Sequence, residues 1–312
     1  MKIAFFSESG LKGKVDRDFD NMRTEYAWYS ALDADHYPIV KMPELSDNTY
    51  DVGIVIIPKE LDYFANFPLS EQLKRVSKKT AFMQEGPSWY FQSLDIWKQM
   101  WFYNVMDSTD FILCHNDIDK EYYEGLFDKP VYINPTLMIE DVLDRELPEK
   151  QEKVIIGGNF VRWYGGFNSY MTALQYEVPI WAPSMGRKKN DENNVQGLNH
   201  LPYLNWKEWI YKLAEFKYAV HLNPNTIGGT FSLNLGIPCI GNVHQQTQRL
   251  CFPELSVEPH DLKKAKELAN NLRNNEEFYV NCSNTAKENY TKYFSEDTYI
   301  KHMKQVIKKV TE

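Results

Sequence analysis

The sequence predicts an α/β protein made of two parallel-sheet domains, and three observations carry that prediction. The chain has 312 residues, more than a single hydrophobic core usually serves. Short apolar runs alternate with longer amphipathic ones, the βαβ pattern of parallel strands with helices on both sheet faces. The alternation then restarts midway, at Val154, after a charge-dense stretch at 139–152 that reads as a linker or an exposed helix.

In the first half, Lys2–Ser7 reads as a strand, and Phe19, Met22, Tyr26, Tyr29 and Leu32 recur at helical spacing. Val52–Ile57 is a continuous apolar run stopped by Pro58, as a strand buried on both faces would be. Leu69–Val76 reads as a helix and Thr80–Gln84 as a strand, followed by a Glu85-Gly86-Pro87-Ser88 turn. Ile96–Val105 is an aromatic-rich helix, Asp110–Cys114 a strand, Asp119–Leu126 a short helix and Val131–Ile133 the last strand of this half. In the second half, strands are expected at Val154, at Val178–Trp181, at Tyr218–Leu222 and at Ile237–Ile240. Helices are expected at Ser169–Gln175, Trp206–Phe216, Leu262–Leu272 and Phe278–Tyr290. A final helix starts at the candidate N-cap Ser295 and carries the stripe Tyr299, Met303, Val306, Ile307 and Val310. The expected division is 1–145, 146–294 and a C-terminal helix at 295–312.

Composition bounds the class. Hydrophobic content of 43% and charged content of 25% are those of a soluble globular protein. No apolar run approaches the roughly 20 residues that span a bilayer, so no membrane insertion is expected. Met1–Glu8 meets an acid too soon for a signal peptide, and the expected compartment is the cytoplasm. The four cysteines are scattered without a CxxC, which argues for buried thiols and against zinc. The net charge of −8 is uneven. Residues 1–150 hold 16 Lys and Arg against 27 Asp and Glu, and the remainder 19 against 16. A phosphate-bearing ligand is therefore expected in the second half, and broad nucleic-acid binding is disfavoured.

The midpoint segment is the sharpest chemical signal. Three apolar β-formers run into Gly157 and Gly158, then Asn159, then Arg162, with a helix to follow. Glycines at a strand end let backbone approach a ligand, a helix N-terminus favours phosphate, and an arginine adds a fork of donors. Other polar residues follow expected strand ends. In the first half these are Glu8, Ser9 and Gly10, then Glu85, Gly86 and Ser88, then His115 and Asn116. In the second half they are Ser184, Gly186 and Arg187, Asn223 and Asn225, and Thr230-Phe231-Ser232-Leu233-Asn234. Two open sheets place such residues at their carboxyl ends, where ligands bind. Acids fall in the first half and arginines and glycines in the second. A diphosphate would sit against the second half, and a general base would come from the first.

Glu85 is the leading base candidate, because Trp89 and Tyr90 stand ready to desolvate its carboxylate. Glu8 is the runner-up. His115 is a candidate for a phosphate or sugar hydroxyl, or else a structural histidine. Asp-x-Asp pairs at Asp16/Asp18, Asp18/Asp20, Asp33/Asp35 and Asp117/Asp119 lie in polar stretches or in the first turn of a helix, where acids are favoured without a metal. No metal is expected. Trp89, Tyr90, Trp97 and Trp101 fall near the expected acceptor side, although at helical spacing such residues are more often core.

These residues resemble a family. Ile156-Gly157-Gly158-Asn159-Phe160 with Arg162 resembles the Gly-Gly-Ser-Phe-Arg region of the T-even phage glucosyltransferases that modify hydroxymethylcytosine in DNA. Phe82-Met83-Gln84-Glu85 resembles their strand carrying a catalytic aspartate, with glutamate substituted. Thr230-Phe231-Ser232-Leu233-Asn234 through Gly236-Ile237-Pro238 resembles the donor-binding segment of GT-B glycosyltransferases. There the family usually has a glutamate for the ribose, and this chain has Asn234. The resemblance implies two Rossmann-like domains facing across a cleft, with a last helix returning to the first domain. It implies transfer from a nucleoside-diphosphate sugar, a UDP-sugar being expected, with no permanently bound cofactor and no metal. Gly158, Arg162 and Arg187 would stabilise the leaving diphosphate. With Glu85 as base, inversion follows; otherwise retention is open. The acceptor it names is a hydroxymethylated pyrimidine in duplex DNA, touched through Lys12 and Lys14 or Arg187, Lys188 and Lys189, in a host cytoplasm if the chain is phage-encoded. A glycan, lipid-linked or protein hydroxyl is the alternative acceptor. A non-catalytic nucleotide or sugar binder is the alternative of another class.

Overall fold

A computed structural model describes every residue except 9–11, 20, 23, 58–66, 140–142, 144, 159, 161–163, 184–194 and 224–233. The chain divides into two compact units. The first comprises Met1–Phe19, Arg23–Leu137 and Glu296–Glu312, and the second Asp20–Met22 and Met138–Ser295.

The first unit is a seven-stranded sheet: β1 (Ile3–Ser7), β2 (Gly13–Lys14), β3 (Asp35–Pro38), β4 (Tyr50–Ile57), β5 (Ser77–Gln84), β6 (Phe111–Cys114) and β7 (Val131–Ile133). Their order is β2-β3-β1-β4-β5-β6-β7, parallel throughout apart from the short β2–β3 pair. Between the strands lie α1 (Thr24–Ala31), α2 (Leu69–Val76), α3 (Ser88–Gln92), α4 (Ile96–Asp107) and α5 (Asp117–Leu126). The continuous apolar run Val52–Ile57 is buried along its length, as a strand covered on both faces requires. The stripe expected from Phe19 becomes helical only at Thr24, yet Met22, Tyr26, Tyr29 and Leu32 are all buried. β3 was not expected, because Asp-His-Tyr-Pro carries no apolar alternation. It is held by its parallel register on β1.

The last helix, α11 (Glu296–Thr311), belongs to this unit. The Arg17 guanidinium grips the Glu296 carboxylate with two bonds of 2.8 and 2.5 Å. The Tyr299 hydroxyl donates to Asn134 Oδ1 at 2.9 Å, and His302 Nε2 donates to the Ile133 carbonyl at 2.7 Å.

The second unit is a six-stranded sheet of β8 (Gln151–Ile156), β9 (Ile180–Pro183), β10 (Leu198–Leu201), β11 (Phe216–His221), β12 (Cys239–Asn242) and β13 (Ser256–Val257). Every pair is parallel, in the order β10-β9-β8-β11-β12-β13. Counted from β8, this is the doubly wound order 3-2-1-4-5-6 of Rossmann-type sheets. Its helices are α6 (Gly166–Ala173), α7 (Trp206–Ala214), α8 (Gln246–Cys251), α9 (Leu262–Asn274) and α10 (Glu276–Phe294). Among the described residues, no helix is long and apolar enough to cross a membrane.

Candidate active site

In an open parallel sheet the chain leaves adjacent strands in opposite directions at one point, and a crevice opens there outside the carboxyl ends. In the second unit that point lies between β8 and β11, the central neighbours of the sheet. The residues leaving β8 are Gly157 and Gly158, and those leaving β11 are Leu222 and Asn223. The sequence singled out the first pair from their chemistry, and the topology places them at this switch point.

Gly157 and Gly158 have different roles. The Gly157 N–H donates to the Val220 carbonyl at 2.8 Å, so it extends the ladder and is committed before any ligand arrives. Gly158 turns the chain with φ +73°, where an L side chain is strained. A Cβ there would also lie 3.3 Å from His221 Nε2. Burial pulls the His221 imidazole down to a pKa of about 4, leaving it neutral at physiological pH. The following helix is drawn tightly onto the end of β11. At Gly165, with φ +67°, a Cβ would sit 2.2 Å from the Leu222 carbonyl oxygen, so only glycine fits. Ser169 Oγ accepts from the Leu222 N–H at 3.1 Å. The Asn223 carbonyl is held by Asn242 Nδ2 at 2.9 Å and by Gln245 Nε2 at 3.4 Å. Asn242, Gln245 and His221 were absent from the sequence candidates. Their signal was a polar residue ending or following an apolar run. Asn234 is half-buried, and its Oδ1 is shielded from solvent without a hydrogen bond to a described residue. Ser9, Gly10, Asn159, Arg162, Ser184, Arg187, Thr230, Phe231 and Ser232 lie outside the described residues.

In the first unit the carboxyl ends of β1, β5 and β6 carry Glu8, Glu85 and His115. Glu8 is exposed, and the preceding Ser7 hydroxyl is 2.8 Å from His36 Nε2, a buried imidazole stacked on Tyr29. Glu85 continues the ladder through its N–H to the Ile57 carbonyl at 2.8 Å. The turn after it is made by Gly86 at φ +89°, where a Cβ would meet the Tyr90 ring at 2.5 Å. Tyr90 therefore packs on Gly86. Trp89 stands perpendicular to Tyr90, ring centroids 4.3 Å apart, and is itself exposed. Glu85 is exposed too, so the expected desolvation by these two rings is not what this unit provides.

A buried polar network fixes this turn from below. Gln84 Nε2 donates to the Pro87 carbonyl at 2.8 Å, and Gln84 Oε1 accepts from the Tyr123 hydroxyl at 2.9 Å. The Asp119 carboxylate, 1% exposed, accepts from the Ser88 N–H and from Asn116 Nδ2, each at 3.0 Å. Asn116 in turn caps α5 by accepting from the Asp119 N–H. Buried polar groups cost free energy unless satisfied, so a closed network of this kind specifies one geometry for the turn. It also takes in two sequence candidates: the Asp119 carboxylate is engaged inside the fold, and Ser88 is buried. Among the described residues no three of His, Cys, Asp and Glu gather as metal ligands.

His115 Nε2 lies 3.0 Å from the Gln84 carbonyl oxygen. A carbonyl only accepts, so Nε2 carries the proton. Burial lowers the imidazole's pKa, against the opposing pull of the Asp119 carboxylate. With Nε2–H given to that carbonyl, a neutral ring presents Nδ1 as an acceptor.

No family model matches the sequence, and no curated protein sequence matches it. Solved structures do match. OtsA in its apo form has a TM-score of 0.66 at 9% identity, with 99% of each chain covered. Sucrose-phosphate synthase from Thermosynechococcus elongatus has a TM-score of 0.64 at 12% identity, covering 82% of this chain and 73% of that one. The Escherichia coli trehalose-6-phosphate enzyme solved with UDP-2-fluoro glucose has a TM-score of 0.61 at 10% identity, covering 92% and 79%. These are nucleotide-sugar glycosyltransferases, and the fold they share with this chain is GT-B, two Rossmann-like units in one α/β chain.

Proposed function

We propose that the protein is a glycosyltransferase that moves a sugar from a UDP-sugar to a hydroxyl acceptor. The observation that carries this is the placement of the Gly157-Gly158 turn at the switch point of a 3-2-1-4-5-6 sheet, in a chain whose fold is GT-B. In this reading the second unit holds the donor. The Gly158 turn and Arg162 meet the diphosphate, with Arg187 and the Thr230–Ser232 segment beside it, and the shielded Asn234 Oδ1 accepts from a ribose hydroxyl. The first unit supplies the acceptor side, with His115 Nδ1 accepting from a sugar hydroxyl. The Glu85 carboxylate takes the acceptor's proton as its oxygen bonds to the anomeric carbon. The bond from that carbon to the diphosphate breaks, and UDP leaves with the electron pair. A single displacement inverts the anomeric centre.

Retention is the second reading of the stereochemistry. It is favoured by a trehalose-6-phosphate synthase studied for transfer with retention, which matches this chain with a TM-score of 0.60 at 11% identity. NMR of the product's anomeric proton decides between them. Arginine and backbone donors do a metal's work in this proposal. Activity is expected to persist in excess EDTA, and a loss restored by Mg²⁺ or Mn²⁺ would revive metal dependence.

The acceptor divides the proposal further. Duplex DNA carrying hydroxymethylated pyrimidines is supported by the motif resemblance and opposed by charge. Lys12 pairs with Glu44 at 3.7 Å, and Lys14 with Asp33 at 2.8 Å and Asp35 at 3.8 Å, so these two lysines already face carboxylates, while Arg187, Lys188 and Lys189 lie outside the described residues. If DNA is the acceptor, its affinity should fall with salt by a log–log slope of only about −2 to −4, at roughly 0.9 per phosphate neutralised. Transfer to hydroxymethylated duplex, absent with unmodified duplex, would establish that acceptor. A carbohydrate hydroxyl fits the charge better. A non-catalytic nucleotide-sugar binder is the reading of another class, and turnover of a UDP-sugar excludes it.

A further inference from the structure

We propose that the corner between α3 and α4 is an acceptor subsite that takes a neutral sugar chain by stacking it on Trp97 and Trp89. The inference rests on the glycosyltransferase reading above and names the acceptor class for the same site. In α4, Ile96 is 72% exposed, Trp97 54% and Met100 54%. Met100 lies four residues after Ile96 and three after Trp97, the spacings that bring helix side chains together, so these three make a contiguous apolar surface. Trp89, 37% exposed, stands in the first turn of α3, four residues after Glu85. Trp101, by contrast, packs partly buried against the core, which is the ordinary fate of an aromatic at helical spacing. Large exposed apolar groups set together mark a binding surface more often than scattered ones do.

The corner is stiff. The Leu94 N–H donates to the Phe91 carbonyl at 3.1 Å, and Gln99 Nε2 donates to the Leu94 carbonyl at 2.7 Å and the Gln92 carbonyl at 3.3 Å. Phe91 packs edge-on to Phe102, ring centroids 5.3 Å apart. Rigid rings lose little freedom when a ligand stacks on them.

Composition and charge select the occupant. Gln92, Ser93 and Asp95, which lie between the two tryptophans in sequence, are exposed and carry hydroxyl-binding groups. A flat ring covers the apolar face of a pyranose while such groups take its hydroxyls. Nucleic-acid bases also stack on aromatics, but only where a positive groove tracks the backbone. Between Glu85 and Met100 the charged residues are Glu85, Asp95 and Lys98, the last a single cation with its Nζ 5.3 Å from the Trp97 ring centroid, and residues 1–150 carry 27 acids to 16 bases. That field repels a polyanion and is indifferent to a neutral glycan.

The test uses the full chain on an array of neutral oligosaccharides, with UDP-glucose affinity measured in parallel for wild type, Trp97→Ala, Trp97→Phe and Trp89→Ala. The expected result is glycan binding by wild type, weakened at least tenfold in Trp97→Ala and largely restored in Trp97→Phe, with unchanged UDP-glucose affinity and thermal midpoint. No glycan bound by wild type, or unaltered glycan affinity in Trp97→Ala, overturns the proposal. So does binding to phosphatidylcholine vesicles that is lost in Trp97→Ala, because the surface then serves a bilayer. Failure of wild type to bind or turn over any UDP-sugar strikes the glycosyltransferase reading instead, and the glycan array still scores the subsite.

Discussion

Glu85→Gln is expected to lower sugar transfer by about 10²–10⁴-fold, the usual weight of general acid–base catalysis, with UDP-sugar affinity near the wild-type value. The amide keeps the size and shape of the carboxylate and removes its ability to accept a proton at neutral pH. The side chain is exposed at the end of β5, while the turn that carries it is fixed from beneath by Gln84, Tyr123, Asp119 and the backbone of Pro87 and Ser88. The substitution leaves those bonds intact, so the thermal midpoint should barely move. Lost turnover then reports chemistry, not misfolding. The discriminating measurement is single-turnover transfer at saturating donor beside calorimetric donor binding. A near-normal rate would take the base role from Glu85 and pass it to Glu8, the carboxylate at the end of β1. A mutant that loses donor binding as well as turnover would place Glu85 against the sugar, not against the acceptor's proton.

Much of this arrangement was legible because of how parallel sheets are written in sequence. Val131–Ile133 and Leu69–Val76 were read with the bounds the structure has, and Val52–Ile57 lies within the strand Tyr50–Ile57. In the latter two, burial follows directly from an apolar run or a helical stripe. The same logic placed Gly157 and Gly158 at a strand end. It failed where tertiary contact overrides local pattern. β3 holds His36 and Tyr37 in place of an apolar alternation, and β10 reads Leu-Asn-His-Leu. α3 was hidden behind Gly86-Pro87, which locally spells a turn. The network under Glu85 was out of reach for a different reason. Ser88 meets Asp119 across 31 residues, and Gln84 meets Tyr123 across 39. No periodicity encodes such pairings, because each polar residue alone looks like a helix cap or a surface group. Trp89 and Trp97 show the converse. Their spacing suggested core, and only the folded unit reveals that they are exposed while Trp101 is packed.

Arg162→Ala is expected to weaken UDP binding by about 1.5–3 kcal/mol, the range for hydrogen bonds to charged groups, or roughly 10- to 150-fold in Kd. Among the described residues of the proposed donor site few groups can bear the diphosphate's charge. The Gly157 N–H is already committed to the Val220 carbonyl, and the neighbouring His221 is held neutral by burial, with a pKa of about 4. A guanidinium is therefore needed to supply positive charge with a planar pair of donors, which backbone N–H groups at a helix start supplement but do not replace. Arg162→Lys separates charge from geometry. It keeps the cation and loses the fork, so its affinity should fall between those of wild type and Arg162→Ala. Calorimetric titration of UDP into the three proteins measures this directly, and raising the salt concentration should narrow the gap as the charge is screened. Equal affinity in all three would remove Arg162 from the donor site and leave the diphosphate to Arg187, with the helix that follows the Gly158 turn beside it.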